Sequence, residues 1–237
     1  MSLEVLFDPF FLFCVSCMVL PVWWEFPTLS QQDILDFYLH PSMLAAWGLL
    51  LATVFVTKKM GKTVKLSKGE RMRARWYLLN GAIIHILLDG LVGAHKINPL
   101  MVRSYNRLDA RYGFEVGNFD GALVHIVSAV ELYLKGPVCL ALYYAFHRGS
   151  PHRDVLEFFT CVTQAYGTIV YLGQEALSGM PHFDVDYELT FSLYHLLYFW
   201  FAVVIGCVLY LLFPTYLGYR SYMRIVEASA RPVSKKK

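Results

Sequence analysis

Residues 76–93 read WYLLNGAIIHILLDGLVG, an apolar run close to what a helix needs to cross about 30 Å of hydrocarbon, yet broken by His85 and Asp89. Four residues apart on a helix, these two side chains share one face about a turn apart. A carboxyl beside an imidazole fixes its tautomer, as a proton donor or shuttle requires. On insertion scales an ionisable group at mid-bilayer costs about 2.5–3.5 kcal/mol, so one found there usually faces a cavity and takes part in chemistry, binding or transport. The plainer alternative is a pair that neutralises itself in helix packing.

Outward from this run, further apolar stretches occupy residues 42–57, 122–146, 155–177 and 190–213. Across the 237 residues, 57% are hydrophobic and 16% charged, and the mean hydropathy is +0.44. That leaves too little polar surface for a water-soluble globule. We therefore read an all-α, polytopic membrane bundle of about five transmembrane helices. An apolar segment precedes it at residues 5–24, bounded by Pro9 and Pro21 and lacking the basic start and small-residue cleavage motif of a signal peptide. This segment is a sixth span, a re-entrant loop or an interfacial helix. The expected organisation is 1–40 for the N-terminal segment and non-cytoplasmic loop, 41–219 for the five-helix domain, and 220–237 for a basic cytoplasmic tail.

Charge sets the orientation. Basic residues gather at 58–75, at 147–153 and in the tail beyond Pro214, whereas 25–40 and 178–188 carry Asp33, Asp36, Asp184, Asp186 and Glu188 without Lys or Arg. The three basic segments fall on one side when five spans follow Pro41, which puts the C-terminus in the cytoplasm. The terminal Ser234-Lys-Lys-Lys approaches a dilysine signal without matching it and hints at the endoplasmic reticulum. Tyr77, Tyr143, Tyr216, Tyr219 and Tyr222 are among the rings near proposed helix ends, where headgroups favour them.

No zinc-finger spacing or aromatic-interleaved basic face accompanies the basic runs, so nucleic acid is not an expected partner. The five cysteines lie in apolar runs, the Cys14/Cys17 pair has no second pair, and neither a disulfide nor a metal site is expected. No P-loop, nucleotide fingerprint or haem motif is present, so no cofactor is expected. Internal repeats, the mark of many transporters, are absent.

Other polar residues lie at membrane depth. Glu131 sits among Val130, Leu132 and Leu134, and with His125 and Ser128 it could form a polar stripe at one-turn spacing. The fourth span carries Gln164, Tyr166, Tyr171, Gln174 and Glu175, the last two explained equally well by a solvated helix end; the fifth carries His195, Tyr198, Cys207 and Tyr210. Aromatic walls around a carboxyl and an imidazole suit a cationic intermediate, because ring faces attract positive charge once water is excluded.

At these residues the sequence resembles the emopamil-binding protein family, whose members include sterol Δ8–Δ7 isomerases of the endoplasmic reticulum. The likeness covers residues 71–214 and rests on four motifs in order: Arg75-Trp76 leading into Ile84-His85 and Asp89-Gly90; Tyr105, Asp109, Arg111 and Tyr112; Gly136-Pro137; and Gln164, Tyr166, Gly167 and Tyr171. The resemblance implies a five-helix bundle with a cavity open to the membrane, in which an acid protonates a ring alkene and a base removes another proton. It makes His85 the family histidine, places Asp89 at a family glutamate, and assigns Asp109, Arg111 and Tyr112 to a structural motif. Ser128 stands where the family has its other essential glutamate, and Glu131 where it usually has threonine. Cys207 replaces an asparagine and Tyr210 a cation-facing tryptophan.

The expectation is therefore a cofactor-independent isomerase or cyclase acting on a sterol- or terpenoid-like lipid by alkene or epoxide protonation. Glu131 is the first choice of acid, with Asp89 and His85 as the base pair; His125, Ser128, Gln164, Tyr171, Cys207 and Tyr210 are expected around the substrate. The alternative is a non-catalytic binder of sterols or cationic amphiphiles. Expected partners are the lipid-like substrate and membrane lipids, with a homodimer left open.

Overall fold

The computed structural model describes residues 9–60, 64–115, 117–183 and 190–230. Among these the chain is helical and forms no strand: α1 (Pro9–Glu25), α2 (Gln31–Leu39), α3 (Pro41–Met60), α4 (Lys68–Ala94), α5 (Pro99–Leu108), α6 (Phe119–Arg148), α7 (Arg153–Leu177) and α8 (Leu193–Ala230). Four of them, α4, α6, α7 and α8, are long and apolar enough to cross a bilayer; counting α2 and the first part of α3, bent by 45°, as one broken span makes five. Helix α4 is the central one: 83% of its apolar window is buried within the protein, which leaves its backbone no lipid-facing role and its polar side chains free to point into the bundle.

The ends of these helices follow local chemistry. Ser67 caps α4 by accepting from the Glu70 amide at 3.3 Å while the Glu70 carboxylate accepts from the Ser67 amide at 2.9 Å, which satisfies two otherwise orphaned donors. Asn118 caps α6 by accepting from the Asp120 amide at 2.9 Å. Helix α1 packs inward: the Phe10 ring lies 3.8 Å from that of Trp76 and the Phe13 ring 5.3 Å from that of Phe201.

Three sequence expectations change. The helix of the fifth span does not stop at Pro214: α8 runs on to Ala230, and residues 220–230 of the expected tail are helical. Pro214 cannot donate to the Tyr210 carbonyl one turn earlier, but the Thr168 hydroxyl of α7 donates to that oxygen at 3.4 Å, so the break in the ladder is tolerated. Tyr77 and Tyr143 are buried in the bundle rather than exposed on its surface. Glu175 is buried rather than solvated; its carboxylate accepts from the His182 backbone amide at 2.7 Å and lies 3.0 Å from the His182 ring. The acidic residues Asp184, Asp186 and Glu188, the Ser234 tail and residues 5–8 lie outside the described residues.

At the basic end, Glu157 welds three helices together. Its fully buried carboxylate accepts from Arg73 and Tyr77 of α4 at 2.8 and 3.0 Å, and from Ser221 and Arg224 of α8 at 2.8 and 2.6 Å.

Candidate active site

The site is built where two helices abandon regular α-geometry. Residues Asn80–Ala94 of α4 and Glu131–Lys135 of α6 are π-helical, with i to i+5 bonds such as His95 to Gly90 at 3.0 Å. Such widened turns often occur at functional sites. The two stretches approach so closely that a Cβ on Gly90 would fall 2.6 Å from the Leu132 side chain. Bare glycine backbone therefore allows Asp89 and Glu131 to meet.

Three groups converge there. His85 Nδ1 is 3.4 Å from Asp89 Oδ2 and 3.8 Å from Glu131 Oε1, and each residue offers an atom within 4.8 Å of the others. On the opposite side of the ring, His85 Nε2 lies 2.9 Å from Gln164 Oε1 and 3.0 Å from Asn80 Nδ2. Gln164 Oε1 only accepts and Asn80 Nδ2 only donates, but the Asn80 amide also reaches Gln164 Oε1 at 3.4 Å and Cys139 Sγ at 3.9 Å, so the shorter Gln164 contact takes the Nε2 proton and Nδ1 presents its lone pair to the carboxyls. The Tyr105 hydroxyl donates to Asp89 Oδ1 at 3.1 Å, and Tyr210 donates to Asn80 Oδ1 at 2.6 Å.

This cluster forms the polar patch of a cavity of about 220 Å³. Asp89, Glu131 and Gln164 line it, amid Ile84, Leu88, Tyr112, Phe201 and other apolar and aromatic groups from α1, α5 and α8. Burial, with the Asp89 and Asp109 carboxyls nearby, pushes the Tyr112 phenol well above its ordinary range, so this wall stays uncharged. Such a chamber accepts an apolar molecule and offers it acid, base and ring faces at a few points.

Of the expected substrate-facing residues, Gln164, Tyr171, Cys207 and Tyr210 line this cavity. His125 and Ser128 do not. His125 faces a separate cavity of about 100 Å³ beside Lys96 and Arg111, and Ser128 is buried beside Gly93, where a Cβ would come within 3.1 Å of its hydroxyl. Each three-residue step turns about 60° around a regular helix, so His125 and Glu131 stand about 120° apart and reach different cavities.

Asp109, Arg111 and Tyr112 hold the mouth of the site in shape. Arg111 is buried and clasps Asp109, with Nη2 2.7 Å from Oδ2 and Nε 3.0 Å from Oδ1. It also donates to Gln174 at 2.7 Å, and its guanidinium stacks 4.5 Å from the centre of the Tyr171 ring, whose hydroxyl donates to Asp109 at 2.6 Å. The clasp thus ties the loop after α5 to α7 and sets the Tyr171 wall.

Sequence reasoning missed Lys135 and Asn80, and gave Tyr105 only as a motif residue and not as a partner of Asp89. Lys135 Nζ lies 2.9 Å from Glu131 Oε1 with only 4% of its side chain exposed; the i, i+4 spacing that singled out His85 and Asp89 applies equally to this pair. His85, Asp89 and Glu131 have the donor types of a metal site, but the Lys135 ammonium already sits where such an ion would neutralise Glu131, and the set reads as one for handling protons.

Comparison with known proteins agrees with this architecture. The model for EXPERA, the expanded EBP superfamily, matches residues 108–221. A 3-beta-hydroxysteroid-Delta(8),Delta(7)-isomerase from Cavia porcellus is 25% identical over 205 residues, 83% of each chain. A probable enzyme of the same name from Oryza sativa subsp. japonica is 28% identical over 209 residues, 84% of this chain and 85% of its own. Protoglabretal synthase MOI1 from Citrus sinensis is 28% identical over 148 residues, 57% of this chain and 67% of its own. With the helical bundle, the ordered motifs and this similarity along most of its length, the chain resembles the emopamil-binding protein family, and its residues 108–221 match the model of the expanded EBP superfamily.

Proposed function

We infer that this protein is a membrane-embedded isomerase or cyclase of a sterol- or terpenoid-like lipid, working by proton donation to an alkene or epoxide and proton removal from the resulting cation. The observation that carries the reading is that Asp89 and Glu131 open on one apolar, ring-lined cavity while His85 Nδ1 is buried behind them within reach of both. A carboxyl in such a dry chamber is a suitable general acid, a neighbouring carboxylate or imidazole lone pair a suitable base. Ring faces such as that of Tyr210 stabilise the cation between the two steps. Similarity to isomerases and to a synthase supports the same class. Location in the endoplasmic reticulum with a cytoplasmic C-terminus belongs to this proposal; the arginines gathered with Glu157 at one end of the bundle, Arg73, Arg153 and Arg224, support the orientation.

Purified protein in lipid discs, incubated with Δ8 sterols and with triterpenoid alkenes and epoxides, is expected to yield an isomer of unchanged mass. In D₂O the product is expected to carry one new carbon-bound deuterium. Saturable binding of these lipids without any conversion would point instead to a non-catalytic binding protein of the same fold.

A further inference from the structure

Lys135 bears on which carboxyl holds the transferable proton. Its ammonium is buried on α6, 2.9 Å from Glu131 Oε1, and the α7 residue behind it is Gly167, where a Cβ would sit 3.7 Å from Nζ. A buried cation beside a carboxylate holds that carboxylate ionised, since separating or neutralising either partner leaves an uncompensated charge. Asp89 has no lysine or arginine partner among the described residues. Its Oδ1 accepts from Tyr105 at 3.1 Å, its Oδ2 faces His85 Nδ1 at 3.4 Å, and it offers an oxygen within 4.8 Å of one on Glu131. Two buried carboxylates this close repel each other, and a proton on one of them removes that repulsion. With His85 neutral and Lys135 charged, that one proton also makes the whole buried set electrically neutral.

We propose that Lys135 is a positioning residue that acts through Glu131: it keeps Glu131 as the carboxylate and so leaves Asp89 as the carboxylic acid that protonates the substrate. The proposal rests on the isomerase or cyclase reading, and it reverses the assignment that the sequence favours. In the step itself, the Asp89 O–H bond breaks as the alkene π pair forms a new C–H bond, leaving a substrate carbocation and the Asp89 carboxylate. Glu131 then takes a proton from the adjacent carbon, whose C–H electrons form the new double bond. The proton returns from Glu131 to Asp89, its neighbour within 4.8 Å. Throughout, the substrate cation stands in for the missing proton, so the chamber remains neutral.

The test is infrared spectroscopy of the protein in lipid discs, which needs no substrate and so stands apart from the success or failure of the functional reading. Every other fully buried carboxyl among the described residues has cationic or amide partners: Glu157 has Arg73 and Arg224, Asp109 has Arg111, and Glu175 shares Arg111 and accepts from the His182 amide. One protonated-carboxyl stretch is therefore expected, and it is expected to shift on carboxyl-13C labelling of aspartate and not of glutamate. Lys135→Met is expected to add a second band that shifts with labelled glutamate, and to lower kcat about 30-fold or more with KM within about threefold, because Lys135 lies outside the cavity wall. Lys135→Arg is expected to keep kcat within about fivefold of wild type and to show a single band. A wild-type band that shifts with glutamate, or a Lys135→Met protein with one band and unchanged kcat, overturns the proposal. If Lys135→Met does not fold, the labelled wild-type protein alone decides.

Discussion

His85 Nε2 and Gln164 Oε1, 79 positions apart in the chain, stand 2.9 Å from each other, and this bond from α7 decides which imidazole nitrogen faces the carboxyls. Gln164→Leu keeps the size of the side chain but removes the acceptor. The tautomer is then no longer held, and kcat is expected to fall roughly 10- to 100-fold. Nitrogen NMR of His85 is expected to show Nε2–H in the wild type and a mixture in the variant; an unchanged tautomer with lost activity would assign Gln164 to substrate contact instead.

Tyr210 offers two separable contributions, its hydroxyl on Asn80 at 2.6 Å and its ring on the cavity wall. Tyr210→Phe removes only the first and is expected to cost about 0.5–1.5 kcal/mol of stability, with kcat within about tenfold. Tyr210→Leu removes the ring as well and is expected to lower kcat by a further factor of about 2 to 30, the range of a cation–ring attraction of about 0.5–2 kcal/mol. Equal kcat in the two variants would remove the ring from the mechanism.

Close approach at Gly90 is what lets Asp89 meet Glu131. Gly90→Ala places a methyl 2.6–2.7 Å from Leu132 side-chain atoms and 2.9 Å from the His85 carbonyl. It is expected to destabilise the protein by about 1–3 kcal/mol and to lower turnover although no acid or base is altered. Leu132→Ala in the same chain is expected to restore part of that turnover; no restoration would place the defect in the helix backbone rather than in the spacing.

Glu157 predicts a stability effect without a catalytic one. Glu157→Gln leaves Arg73 and Arg224 without their buried charge partner, and breaking such a set costs about 3–5 kcal/mol. Thermal unfolding in detergent is expected at a clearly lower temperature, with kcat of the folded fraction unchanged. The partly exposed Glu70–Arg153 pair provides the contrast: Glu70→Gln is expected to cost about 1 kcal/mol or less.

Much of this protein was legible in one dimension. Apolar runs of bilayer length located the spanning helices, and they did so because lipid leaves the backbone no choice but to satisfy its own hydrogen bonds. The same constraint made His85, Asp89 and Glu131 conspicuous, since ionisable groups at that depth are costly and rare. Only the folded chain decided how these groups are paired. Regular helical spacing suggested a stripe of Glu131 with His125 and Ser128, but the packing of α6 on α4 faces Glu131 to Asp89, with Lys135 one turn along, and leaves His125 at a separate cavity. Burial of Glu175, continuation of α8 through Pro214, and the hold of Gln164 on His85 each depend on a partner outside the residue's own helix. A sequence states which charges must be hidden; which of them share a proton depends on ångström-scale distances between helices, and those are set by bare glycine surfaces and widened turns that leave no periodic trace.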